Sequence, residues 1–267
     1  MNTSQLEQLC QQVRSIVMET AAFISEEVGK VGSEAIETKS LNSLVSYVDK
    51  TAEQQLVAKL EPLLPGATFL TEEGTVASRD GEFQWIIDPL DGTTNFLHQL
   101  PCFAVSVGLR QGHSMVLGVV CEVSRLECFY AWKGGGAYLN GRPIRVSGTT
   151  RLADALIATG FPYRDYERMK PYFTAMEYFM QNSRGMRRLG ASAIDLAYLA
   201  CGRFDGFFEY GLSPWDVAAG IVLVTEAGGK ISDFKGGNDF LFGEEMLAAA
   251  PGVFEDTLKV IRQTFYP

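Results

Sequence analysis

From Leu6 the chain repeats apolar residues at intervals of three and four, through Leu9, Cys10, Val13, Ile16, Val17, Ala21, Ile24 and Val28. That is the spacing of one buried helix face. It predicts a helix over residues 4–29, opened by a capping box of Ser4 and Glu7 and stopped at Gly29. The polar stretch KVGSEAIETKSLNS (30–43) breaks the rhythm and reads as a mobile loop. A second helix runs from Asp49 to Leu60 and ends at Pro62.

The middle of the chain changes period. The runs ATFL, QWIID, CFAVSVGLR, SMVLGVVCEV and LECFYAWK are β-prone and bounded by glycine, proline or charge. YLNGRPIRV reads as a hairpin turning at its Asn-Gly pair. From about residue 150 strands and helices alternate: strand ALIATG, helices 163–181 and 191–201, strand FDGFFEY, helix 215–227, strands KISD and MLAAA, and a closing helix 252–265. The alternation predicts two α/β lobes in tight contact, an N-terminal lobe over 1–147 and a C-terminal lobe over 148–267.

Composition narrows the function. With 46% apolar and 21% charged residues, the 267-residue chain has the balance of a folded globular protein. A net charge of −9 argues against direct nucleic-acid contact or adhesion to an anionic membrane. No run of about 18 apolar residues spans a bilayer, and the amphipathic first 30 residues do not read as a secretory signal, so a cytoplasmic location is expected. Five scattered cysteines without a C-x-x-C pair predict reduced thiols rather than a zinc site or disulfide framework.

Acids then stand where apolar runs end. These are Asp49 at a helix start, Glu72 and Glu73 after ATFL, Asp88 and Asp91 after QWII, and Asp216 in SPWDVAAG. Taken singly, Asp49 and Asp216 read equally well as helix N-caps, and Glu72–Glu73 as a solvated turn. Asp88 is harder to dismiss, because Pro89 holds it extended with no evident local partner. Read together, the acids would repel one another unless cations neutralised them. Hard divalent cations such as Mg²⁺ take oxygen ligands and share phosphate oxygens. Only His98 and His113 are present, which disfavours a histidine-rich metal site, and neither lies in a nucleophile-elbow motif. In DGTTNF, Gly92 permits a close turn, and a helix starting there would point amide hydrogens at an anion. The motif also reads as an ordinary capped turn.

These residues carry a resemblance. WIIDPLDGTTNFLHQLP (85–101) and PWDVAAGIVLVTEAGG (214–229) resemble two signature motifs of the inositol monophosphatase family, Mg²⁺-dependent, lithium-sensitive phosphomonoesterases. The similarity runs from Asp49 through EAGG. It implies an α+β fold, the layered αβαβα sandwich of the inositol monophosphatase and fructose-1,6-bisphosphatase type. It implies two or three Mg²⁺ ions held by Glu72, Asp88, Asp91, Asp216 and the Leu90 carbonyl, with Glu72 taken over Glu73 by match to the family's glutamate pair. Asp49 and Thr93 would activate water, with Glu72 beside them, while Gly92 and Thr93 would hold the phosphate. Substrate contacts would fall on Asp91, Gly190, Ala191, Ser192 and Glu209. The family commonly reads Asp-Leu-Val-Thr before the helix-start aspartate, whereas this chain has Ser43 and Ser46 there; Lys39 in the preceding loop reads as readily as a solvated charge.

The reaction so implied is hydrolysis of inositol 1-phosphate to inositol and phosphate by metal-activated water. The same chemistry could serve 3′-phosphoadenosine 5′-phosphate, fructose 1,6-bisphosphate or histidinol phosphate; an adenine would want an aromatic such as Tyr163, Phe207 or Tyr210, although such residues are more often core or rim. Some relatives act partly through protein partners such as transcription factors, so a binding protein on this fold is the rival of another class. A homodimer is the family's expectation.

Overall fold

The computed structural model describes residues 1–32, 34, 36–40, 43–162 and 166–267. Tyr163 lies outside them, as do the side chains of Lys39 and Ser43. Helix α1 (Thr3–Glu27) starts earlier than the spacing predicts. Its cap is Asn2, boxed with Gln5 rather than Ser4 with Glu7. Two overlapping boxes compete there, and the earlier one adds residues to the helix. Part of the stretch expected to be a loop instead forms an antiparallel pair, β1 (Ile36–Ser40) and β2 (Ser43–Ser46), which leads directly into α2 (Tyr47–Leu60).

Seven strands follow in one sheet: β3 (Thr68–Thr71), β4 (Phe83–Asp91), β5 (Ala104–Gln111), β6 (Ser114–Glu122), β7 (Glu127–Trp132), β8 (Gly136–Leu139) and β9 (Arg142–Ile144), in sequence order. β3 pairs with β4 in parallel and every later pair is antiparallel. The five-residue α3 (Thr93–Leu97) interrupts between β4 and β5. The second sheet is mixed, ordered β11-β10-β12-β14-β13, from β10 (Leu156–Thr159), β11 (Gly185–Arg187), β12 (Gly206–Tyr210), β13 (Lys230–Ser232) and β14 (Glu245–Ala249). Between these strands run α4 (Met169–Asn182), α5 (Ser192–Ala200), α6 (Pro214–Glu226) and, closing the chain, α7 (Pro251–Phe265). The three-residue β11 was not predicted, and α4 starts at Met169 rather than residue 163.

Three apolar clusters stack the layers. α1 and α2 cover one face of the seven-stranded sheet around Val13, Leu56, Trp85 and Leu109. α5 and α6 fill the space between the sheets around Ile194, Leu196, Val217 and Leu223. α4 and α7 close the outer face of the second sheet around Tyr172, Phe179, Phe208 and Ile261. The order is the αβαβα sandwich. α5 and α6 are apolar nearly all round, as a helix between two sheets must be. α6 lies unusually close to its sheet. Gly108 and Gly118 are register partners on β5 and β6, and a Cβ on Gly118 would stand 2.4 Å from the carbonyl oxygen of Ala219. Among the described residues, no helix is long and apolar enough to cross a membrane.

Candidate active site

β4 delivers two acids to one place by breaking its own regularity. In a regular strand, residues three apart face opposite sides. Here Asp88 pairs with Ser106 and Asp91 with Ala104, so three steps on β4 oppose two on β5. This β-bulge, placed at Pro89 and Leu90, re-aims the strand end, and Asp88 and Asp91 line the same cavity. Proline suits the bulge because it has no N–H to donate to the ladder. Asp88 does have a local partner, contrary to expectation: its Oδ1 accepts the Leu90 N–H at 3.0 Å.

The other two acids arrive from separate segments. Glu72 follows β3, its N–H bonded to the Ile87 carbonyl at 3.2 Å. Asp216 lies in the first turn of α6, where the Ser213 N–H donates to its Oδ2 at 2.6 Å. Asp49 holds the equivalent place in α2, accepting the Ser46 N–H at 2.9 Å and the Ser46 hydroxyl at 2.8 Å on Oδ2. Neither aspartate is the N-cap. Ser46 and Ser213 are the caps, and each aspartate reaches back three residues to complete a capping box. The pattern S-x-x-D is written three times in the sequence, as SYVD and SPWD at these two helix starts and as SAID at 192–195, and was a readable signal.

Glu72, Asp88, Asp91 and Asp216 line a cavity of about 520 Å³ together with Leu90, Gly92, Thr93, Gly190, Ser192 and Glu209. Asp49 stands behind Thr93, whose hydroxyl lies 2.9 Å from Asp49 Oδ1 and 3.0 Å from the Leu90 carbonyl oxygen. Ala191 is buried as the residue preceding α5 and does not line the cavity. Glu73 does not line it either; its N–H turns away to Glu53. Phe207 and Tyr210 belong to the core. A larger cleft of about 810 Å³ between α4 and α7 carries none of these acids.

Asp195, Arg188, Phe161 and Asn95 are among the cavity residues that escaped the sequence reading. Asp195 is buried on α5, with its Oδ1 lacking a hydrogen-bond partner among the described residues. Arg188 lies beside the acids with its guanidinium 5.2 Å from the ring of Phe161, an exposed aromatic at the rim. Asp195 repeats the S-x-x-D spacing from Ser192 but sits inside an apolar helical run, where it reads as a helix face, and Arg188 sits in a basic pair, which did not advertise a pocket. Asn95 ties the site together: its Nδ2 donates to the carbonyls of Cys102 at 2.8 Å and Leu189 at 2.9 Å.

Burial and mutual repulsion shape the charges. Burial, then the charges of Glu72, Asp91 and Asp216, hold Asp88 well above the ordinary carboxylate range, and it shares a hydrogen bond with Glu72. Asp91 is raised by burial and by Asp216, against the N–H groups of Ala193 and Ser192 that stabilise its charge. Ala193 donates to Asp91 Oδ2 at 2.7 Å, placing this acid at the N-terminus of α5. Burial also lifts Asp49, opposed by its bonds from Ser46 and Thr93. Glu209 is pushed up to about 8 by burial and by Asp216, with Arg188 opposing.

The donor chemistry fits a hard cation: four carboxylates and a carbonyl, with no histidine or cysteine among the described residues of the cavity wall. Raised proton affinity at Asp88 and Asp91 marks a cluster that needs positive charge. Among the described residues no three Asp, Glu, His or Cys side chains are already gathered to hold a metal ion.

Known proteins resemble this chain along nearly its whole length. The model of the inositol monophosphatase family matches residues 3–264. The inositol-1-monophosphatase of Mesorhizobium japonicum is 40% identical over 247 residues, covering 92% of this chain and 93% of that protein. The Nus factor SuhB of Escherichia coli K12 is 42% identical over 225 residues, 84% of each chain. In three dimensions, the extragenic suppressor protein suhB from Bartonella henselae superposes with a TM-score of 0.88 at 37% identity, over 93% of this chain and 96% of that one.

Proposed function

The chain belongs to the inositol monophosphatase family, phosphatases of small-molecule phosphate esters, and on that premise we propose that it hydrolyses inositol 1-phosphate to inositol and phosphate in a Mg²⁺-dependent reaction. The observation that carries the reading is the convergence on one cavity of four acids from three separate segments, with Thr93 on its wall and Asp49 behind it. Glu72, Asp88, Asp91, Asp216 and the Leu90 carbonyl would hold the cations. When bound, these supply Lewis-acid stabilisation of charge developing on the phosphoryl group and the leaving oxygen.

The chain's own residues do the aiming. Ser46 fixes one oxygen of Asp49 and leaves the other on Thr93. A threonine hydroxyl has one proton, so when it donates to Asp49 its lone pairs accept from the attacking water. The water's proton then passes through Thr93 Oγ1 toward Asp49, whose burial makes it a stronger base than a free aspartate. The amides of Gly92 and Thr93 would receive the phosphate. α3 has five residues, so it offers N–H groups rather than a macrodipole. Glu209, with Gly190 and Ser192 nearby and the buried Ala191 behind them, would receive the hydroxyls of the leaving alcohol, a wall that suits a polyol better than an adenine.

The test is phosphate release from inositol 1-phosphate with and without Mg²⁺, beside 3′-phosphoadenosine 5′-phosphate, fructose 1,6-bisphosphate and histidinol phosphate. Asp88→Asn is expected to abolish turnover on every ester at saturating Mg²⁺; full turnover by that variant would refute the scheme. A second reading is favoured by one observation, the name Nus factor borne by several relatives: a factor that works by binding a protein partner. It predicts partner binding that survives Asp88→Asn. The family also carries the proposal of a homodimer, read by analytical ultracentrifugation.

A further inference from the structure

Glu53, the acceptor of the Glu73 N–H, is fully buried on α2. It stands four residues after Asp49. Side chains at that spacing share a helix face, so α2 turns two carboxylates toward the sheet. Asp49 reaches Thr93, and Glu53 reaches the segment that carries Glu72. Glu53 Oε1 accepts the Thr71 hydroxyl at 2.9 Å, the Thr75 N–H at 2.7 Å and the Thr75 hydroxyl at 2.7 Å. Its Oε2 accepts the Glu73 N–H at 2.7 Å.

The distribution of these bonds is the point. β3 ends at Thr71, and no regular structure holds the next residues until β4 begins at Phe83. Glu72 is anchored to the sheet by its bond to Ile87, and Glu53 grips the chain on both sides of it, at Thr71 before and at Glu73 and Thr75 after. A buried carboxylate is costly unless donors satisfy it, and four do. With both oxygens engaged, Glu53 has its charge committed to the segment rather than to the cavity, whose wall it does not join.

We propose that Glu53 is the positioning residue for Glu72, holding the 71–75 segment so that Glu72 meets a divalent cation in the cavity. The inference rests on the functional reading above. It makes α2 the common mount of the water-activating pair and the cation-binding loop, so the two sides of the site keep a fixed separation.

The decisive variant is Glu53→Gln, which keeps the volume but replaces one acceptor with an NH₂ group. Whichever way that amide turns, at least one donor from the segment faces another donor. Thr75→Val is the milder companion should the first variant fold poorly, because it removes one hydroxyl and leaves the N–H. Mg²⁺ is titrated into each protein by calorimetry, amide hydrogen exchange is followed at residues 71–75, and kcat is measured over a range of Mg²⁺. Glu53→Gln is expected to weaken Mg²⁺ binding on the order of tenfold or more, with faster exchange at 72–75, an unaltered remainder of α2, and kcat recovering as Mg²⁺ is raised. Thr75→Val shifts the same readings in the same direction by less. Faster exchange with an unchanged Mg²⁺ dissociation constant would overturn the proposal and reduce Glu53 to a fold-holding residue. So would a kcat that stays low at saturating Mg²⁺ while affinity is unchanged. If the parent protein takes up no Mg²⁺ at all, the functional reading fails first, and this inference falls with it.

Discussion

At the scale of single residues, the site depends on atoms that are absent as much as on those present. Gly92 has φ +88°, and a Cβ there would lie 2.8 Å from the Cys102 carbonyl oxygen. Gly92→Ala is expected to lose about 1–2 kcal/mol to the left-handed backbone alone, more once Cys102 shifts, and to cut turnover; urea unfolding and phosphate release read the two effects. Asn95→Ala leaves the carbonyls of Cys102 and Leu189 without a shared donor, and should cost about 1–3 kcal/mol by thermal or chemical unfolding. The acids were legible at this scale because carboxylates ending apolar runs are conspicuous. Asp195 and Arg188 were not. A buried aspartate within SAIDLA has the periodicity of a helix face, and only the packing of α5 against the cavity turns that face into a wall.

At the scale of elements, two helices begin alike. Ser46 and Ser213 cap α2 and α6, and in both the aspartate three residues on completes the box and stands at the site. The serine that departs from the family's usual threonine at position 46 therefore keeps the hydroxyl that the cap requires. Ser46→Ala should destabilise the protein by about 1 kcal/mol and also lower kcat, since Asp49 loses the hydroxyl holding its Oδ2. Unfolding and steady-state kinetics on the same preparation separate the two. Most long elements were readable, because apolar period and turn residues agree over β4 to β9 and over α5 to α7. The β1–β2 pair was not, since it is a short two-stranded ribbon in a polar stretch. Nor was the bulge at Pro89, where the sequence has Asp88 and Asp91 at a spacing that a regular strand would send to opposite faces.

At the scale of the whole molecule, α6 in the middle layer delivers Asp216 against β4, while α5 brings its amides to Asp91, so charge at the site and stability of the sandwich are linked. Glu209 illustrates the linkage. Its carboxyl titrates near 8 in the folded chain against an ordinary 4.5, so over that interval the folded state holds a proton that the unfolded state has lost. Stability of the metal-free protein therefore falls as pH rises from about 4.5 to about 8. Glu209→Gln cannot titrate, so its melting temperature should gain on the parent's across that range, and thermal denaturation at stepped pH reads the difference. Mg²⁺ should stabilise the parent most at the alkaline end, where the acids are ionised, and a chelator should reverse that gain.

The glycine pair beneath α6 reaches further than its place in the core suggests. A methyl group on Gly118 would press on Ala219, three residues along the same helix from Asp216. The helix would have to ride outward and carry that acid with it. Misplacing a reacting group by about 1 Å can cost on the order of a hundredfold in rate. A mutational survey scored for loss of turnover would accordingly return hits under a helix, in residues that never meet substrate, while one scored for soluble yield could pass them over. The precision of the chemistry is inherited partly as a prohibition on one carbon atom.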